Sequence, residues 1–100
     1  MNYSFHPEAE NEFEKAINYF EDQQRELGYE FSIEVYKSVQ RIKANPRSWT
    51  KVSETIRRIL VERFPFGILY HYDHETSQIF IVAVMHLRRK PGYWKVRLEK

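Results

Sequence analysis

The chain has 100 residues, no cysteine, 42% hydrophobic and 30% charged residues, and a formal net charge of +2. That length supports one core burying roughly 60–70% of the unfolded surface, and the lack of cysteine excludes a disulfide framework, a thiol nucleophile and a cysteine-ligated zinc site. No apolar run nears the roughly 18 residues of a membrane span, and the opening MNYSFHPEAE lacks the basic flank and apolar stretch of a signal peptide, so the expectation is a cytoplasmic, single-domain protein (1–100) with no membrane contact.

NYSF alternates and reads as a short strand held by pairing with something later in the chain. Pro7 suits the first turn of a helix, and Glu8, Glu10 and Glu12 suit the positive end of its dipole. Ala9, Phe13, Ala16, Ile17 and Phe20 fall at helical spacing and predict one apolar stripe through about residue 26. The acidic residues off that stripe, Glu8, Glu10, Glu12, Glu14, Glu21 and Asp22, read as a solvated face. Gly28 breaks the pattern. A second helix carries Phe31, Val35, Val39 and Ile42 on one face and ends before Pro46, which disfavours helix in the residue preceding it. Two amphipathic helices joined so briefly form an antiparallel hairpin with a shared apolar side.

The character changes after Trp49, itself read as core. IRRILVERF alternates, with Ile59, Val61 and Arg63 on one side and Arg58, Leu60, Glu62 and Phe64 on the other, until Pro65 interrupts. FGILYHYD places Phe66, Ile68, Tyr70 and Tyr72 on one face, and DHETS is a polar turn. QIFIVAVMH is apolar for almost its whole length, as a strand covered on both sides would be. Three strands with short connections make an antiparallel meander, and the helical hairpin covers one face of it. The expected class is α+β, in the order β-α-α-β-β-β.

Charge is unevenly spread. Residues 1–46 hold five Lys or Arg against nine Asp or Glu, and residues 47–100 hold eleven against five. The basic half therefore invites an anionic partner. Its densest point is VAVMHLRRKPGYW, where a buried strand, Val82–Met85, runs into His86, Arg88, Arg89, Lys90, Tyr93 and Trp94. Three adjacent cations at a strand end cannot all pair internally. His86 reads as a local hydrogen-bonding residue that pins the turn, with general acid–base work as the alternative. Tyr93 and Trp94 read as aromatic packing that closes the open end of the core. Arg57, Arg58 and Arg63 offer a second basic strip, with one of them open to pairing with Glu62 or a carboxylate of the first helix. The four histidines, His6, His71, His74 and His86, show no metal spacing, and nothing calls for a metal or cofactor.

FHPEAENEFEKAINYFEDQ, IKANPRSW, IRRILVERFPFGILY and VAVMHLRRKPGYW, in this order, resemble the ParE/RelE superfamily of bacterial toxin–antitoxin toxins, most closely its ParE branch, often labelled plasmid-stabilisation proteins. The resemblance covers nearly the whole chain. It implies a helical hairpin on a twisted antiparallel sheet, growth inhibition, and silencing by a small antitoxin encoded nearby. RelE-like members cut mRNA on the ribosome, whereas ParE-like members poison DNA gyrase by binding. In the RelE pattern an arginine falls on Gly67, two lysines fall near Arg58 and Leu60, and another arginine falls on Leu87, while the C-terminal tyrosine matches Tyr93. A glycine cannot hold a phosphate, and a one-residue slip on a strand turns a side chain to the opposite face. The resemblance thus favours gyrase as target, with contacts from Arg88, Arg89, Lys90, Tyr93 and Trp94 and antitoxin contacts from Phe13, Ile17 and Phe20. The alternative is a ribosome-dependent mRNA endonuclease with a rearranged site of Arg58, His86, Arg88 and Tyr93.

Overall fold

Two helices and a five-stranded sheet form in the computed structural model, which describes residues 2–99. Strand β1 (Asn2–Phe5) leads into α1 (Pro7–Gln23), where Pro7 opens the helix and the His6 ring accepts a hydrogen bond from the Glu8 N–H. The break between helices falls at Gln24–Glu26, where Glu26 takes a positive φ of 72°. Gly28, expected to break the pattern, instead lies inside α2 (Leu27–Ala44). It is needed there because a Cβ would sit 2.4 Å from the Ile17 carbonyl oxygen of α1. The first N–H groups of α2, which have no partner within the helix, are capped across the hairpin. Glu21 accepts from Glu26 N at 2.8 Å and from Gly28 N at 3.1 Å.

The remaining strands are β2 (Thr50–Lys51), β3 (Arg57–Leu60), β4 (Phe66–Asp73) and β5 (Gln78–His86), followed by a short 3-10 helix, Tyr93–Leu98. The sheet order is β1-β5-β4-β3-β2, with β1 parallel to β5 and the other pairs antiparallel. The α+β class and the meander stand, and NYSF does pair with a later strand. β2, a two-residue partner for β3, is too short to leave a periodic signal. The strand expected to run through IRRILVERF stops at Leu60. Arg63 takes a φ of 72°, and the chain closes on itself with Val61 N donating to Phe66 O at 2.9 Å. As a result Ile59, Val61 and Phe64 all enter the same core, which strict alternation had split between two faces.

That core lies between the hairpin and the sheet. Phe31, Val35, Val39 and Ile42 of α2 pack on Ile59, Ile68, Tyr70, Ile81 and Val84, with Phe5, Phe13, Ile17, Phe20 and Trp49 partly buried around them. Tyr70 reaches through to donate to the Pro46 carbonyl at 2.7 Å, and burial pushes its hydroxyl up to about 12. A second, smaller core covers the opposite sheet face, where Ile56, Leu69, Val82, Ala83 and Met85 meet Trp94. The register shifts between Leu69 and Tyr70, whose partners are Ala83 and Ile81. The extra residue, Val82, allows two neighbours, Val82 and Ala83, to share the second face, as a β-bulge does. QIFIVAVMH is thus apolar between Gln78 and His86 because both its faces are covered there. No helix among the described residues is long and apolar enough to cross a membrane.

Candidate functional site

The C-terminal segment returns across the end of β5 and is tied there by one carboxylate. Glu12 of α1 accepts from Arg97 through both oxygens (2.8 and 2.9 Å), from Arg89 at 2.9 Å, from the Tyr93 hydroxyl at 2.6 Å and from the Val84 N–H at 3.0 Å. Arg97 also donates to the Val82 carbonyl at 3.0 Å. β1 accompanies β5 only as far as Ile81. Beyond that point Glu12 and Arg97 satisfy the backbone groups that a neighbouring strand would otherwise take.

Glu12 was expected on a solvated face. Its side chain is only 12% exposed and is the hub of the region. Burial pushes its carboxyl up, but hydrogen bonds from Arg97, Tyr93 and Val84 and the charge of Arg97 outweigh that, leaving it below its ordinary value. Burial and the bond to Glu12 push the Tyr93 hydroxyl well above the ordinary tyrosine range. The Tyr93 ring also has the Arg89 guanidinium 3.7 Å and the Arg97 guanidinium 5.0 Å from its centroid.

Around this hub the cations of the rim part company. Arg89 is committed to Glu12 and Tyr93, so it is an internal partner at least in part. Arg88 and Lys90 are exposed and form no side-chain ion pair among the described residues. His86 pins the turn as expected, since its Nδ1 accepts from Arg88 N and its carbonyl accepts from Arg89 N, both at 3.0 Å. Trp94, expected among the target contacts, is instead 4% exposed and packed into the second core, while Arg88, Arg89 and Lys90 are exposed and Tyr93 is half-buried.

Of the candidate nuclease residues, three are held by attachments of their own. Tyr93 OH bonds Glu12, His86 Nδ1 is held by the Arg88 backbone, and Arg58 lies on the second sheet face in register with Leu69. Gly67 explains where Arg58 goes. A Cβ there would sit 3.1 Å from both Cγ and Cδ of Arg58, so the bare glycine is the shelf across which the arginine stem lies. The expected basic strip is likewise dispersed. Arg57 donates to the Trp49 carbonyl, Arg63 pairs with Glu30 and Glu34 of α2, and Glu62 pairs with Arg41.

A separate apolar groove runs beside the free edge of β1. Tyr3, Phe5, Phe13, Ile33, Tyr36 and Val39 line a space of about 290 Å3. Of the three residues expected to meet an antitoxin, Phe13 lines this groove, while Ile17 and Phe20 pack onto the core, Phe20 against Phe31, Phe64 and Phe66.

Residues 3–91 match the family model described as the ParE toxin of type II toxin–antitoxin systems, parDE. Among solved structures the chain is similar to one titled "Chromosomal ParDE TA system from P. aeruginosa", with a TM-score of 0.62 and 16% identity over 88% of this chain and 97% of that one. At that identity the likeness is one of fold. No curated protein matches the chain.

Proposed function

This chain belongs to the ParE toxin family of type II toxin–antitoxin systems, and on that premise we propose that it arrests growth by binding DNA gyrase, without cutting RNA. The single observation that carries the second half is Gly67. Where an RNA-cleaving relative would present a phosphate-holding arginine, this chain has a glycine on which Arg58 rests. Cleavage through a ribose 2′-hydroxyl needs a base, an acid and donors aimed at the crowded phosphate. Here Tyr93, which falls on the C-terminal tyrosine of the RNA-cleaving pattern, already donates a hydrogen bond to Glu12, and its raised pKa opposes acting as a base at neutral pH.

The rim suits attachment to an acidic surface. Arg88 and Lys90 are exposed on a turn held by His86, while Arg89 and Tyr93 are fixed by Glu12. Coulombic attraction of this kind sets encounter rate and orientation and tolerates small displacements. Purified protein in a gyrase supercoiling assay tests the proposal. Inhibition that falls at least tenfold on R88E/K90E, as rim charges controlling encounter would require, supports it. Full supercoiling in the presence of excess toxin refutes it.

Family membership implies an antitoxin partner. The groove beside β1 is its proposed seat, because it combines apolar side-chain pockets with an unpaired strand edge, the two elements of strand-addition recognition. Co-expression with the neighbouring reading frame should restore growth and give a co-purifying complex.

A further inference from the structure

The end of the sheet away from the rim carries a second concentration of positive charge. Phe66 pairs with His86 at the rim, and β4 runs from there to Asp73 at the other end. At that far end lies an open cleft of about 390 Å3. Arg47, Lys51, Arg57, His71 and His74 line it, with Glu54 its single acid among the described residues. Arg47, Lys51 and His74 are exposed and Arg57 and His71 are half-buried, so all five reach solvent.

Lys51 and Arg57 stand directly opposite each other on β2 and β3. Like charges in that arrangement destabilise a sheet. Neither forms an ion pair among the described residues, and nor does Arg47. Asp73 is near enough to His71 for their charges to interact, but its Oδ1 accepts from the Glu75 and Thr76 N–H groups of its own turn. Several of the basic side chains are held in place. Arg57 Nη1 donates to the Trp49 carbonyl at 2.8 Å and His71 Nδ1 to the Thr55 carbonyl at 3.1 Å, while the Arg47 guanidinium lies 5.7 Å from the Tyr72 ring centre. A cleft lined by one sign of charge concentrates ions of the other.

We propose that this cleft grips the phosphate backbone of duplex DNA without reading its sequence. The contact is independent of gyrase inhibition, since it needs no second protein. Its donors come from three places: the segment holding Arg47 and Lys51, β3, and β4 with the turn that follows. Phosphate oxygens accept from several directions at once, whereas a carboxylate offers two oxygens in one plane. Tyr72, the one aromatic on the lining, is half-buried with Arg47 over its ring. It is a poor platform for the base stacking on which single strands depend. A concave site presents no helix or ribbon to enter a groove, so it meets the phosphate ridge and not the base edges.

Fluorescence anisotropy of a labelled duplex of about 20 base pairs, titrated with the full chain, tests this. Neutralising three phosphates, by Arg47, Lys51 and Arg57, predicts a slope of about −2.7 in log affinity against log salt, or about fortyfold weaker binding from 50 to 200 mM salt. R47E/K51E should bind at least about tenfold more weakly. K15E/K37E makes the same change in net charge at two exposed helix lysines and should stay within about twofold of wild type. Equal losses in the two double variants, a slope shallower than about −1, or no binding by about 1 mM protein in 50 mM salt would each overturn the proposal. Tighter binding of poly-glutamate, or of a single strand of the same length, would overturn it too. The wild-type slope and the poly-glutamate comparison decide the matter even if R47E/K51E fails to fold.

Discussion

Glu12 and Arg97, 85 positions apart in sequence, form a two-pronged ion pair whose side chains are 12% and 8% exposed. The pair joins α1 to the C-terminal 3-10 helix and covers the backbone of β5 at Val82 and Val84. Breaking such a pair from one side leaves a charge buried without a partner, which costs about 3–5 kcal/mol. Glu12→Gln should therefore destabilise the protein by several kcal/mol in urea unfolding. Arg97→Met placed on top should restore part of the loss, because the stranded cation is gone. A double-mutant cycle with no coupling would contradict this account.

The same carboxylate sets an acid limit. Its folded-state pKa is depressed, so its stabilising contribution is fully present above the unfolded-chain value of about 4.3. The contribution is lost as pH falls from there through the lower folded value. Wild-type stability should drop across that acidic window. The drop should be shallower in Glu12→Gln, which has no carboxyl to titrate at this position. Parallel pH profiles for the two proteins would count against it.

Gly28→Ala separates packing from helix propensity. Propensity alone favours alanine inside a helix by about 1 kcal/mol. The added methyl, however, would meet the Ile17 carbonyl oxygen at 2.4 Å and Glu21 Cβ at 3.0 Å. Forcing the hairpin apart should cost about 1–3 kcal/mol, so thermal unfolding should move down. A rise in Tm would show that the hairpin gives way easily.

Much of this fold was legible because its signals are local. Phe31, Val35, Val39 and Ile42 mark one helix face, and the unbroken QIFIVAVMH announces a strand buried twice over. The hub at Glu12 was not legible. Its partners Val84, Arg89, Tyr93 and Arg97 lie more than 70 residues away, and a glutamate near a helix N-terminus has an adequate local explanation in the dipole. Leu60–Phe66 misled for a different reason. A single positive φ at Arg63 reverses the alternation, and ion pairs to Glu30 and Glu34 hold that arginine in place. Gly67 was legible only as a residue lacking a side chain; that Arg58 fills the space required the structure.

The proposed antitoxin seat has its own test. Tyr36 lines the groove and is 55% exposed, so Tyr36→Glu should leave the fold intact while placing a charge where an apolar side chain is to dock. Affinity for the neighbouring antitoxin, measured by calorimetry, should fall by at least about 2 kcal/mol, as for an interface hot spot. Unchanged affinity would move the seat elsewhere.

The claim that this toxin binds and does not cleave is tested most directly by primer extension on mRNA from expressing cells, run beside a gyrase supercoiling assay with wild-type protein and Tyr93→Phe. The account predicts intact mRNA and blocked supercoiling. It further predicts that Tyr93→Phe keeps most of the inhibition, since losing its hydroxyl bond to Glu12 costs local order and no chemistry. Codon-phased mRNA cuts that disappear in Tyr93→Phe, with gyrase unaffected, would contradict it.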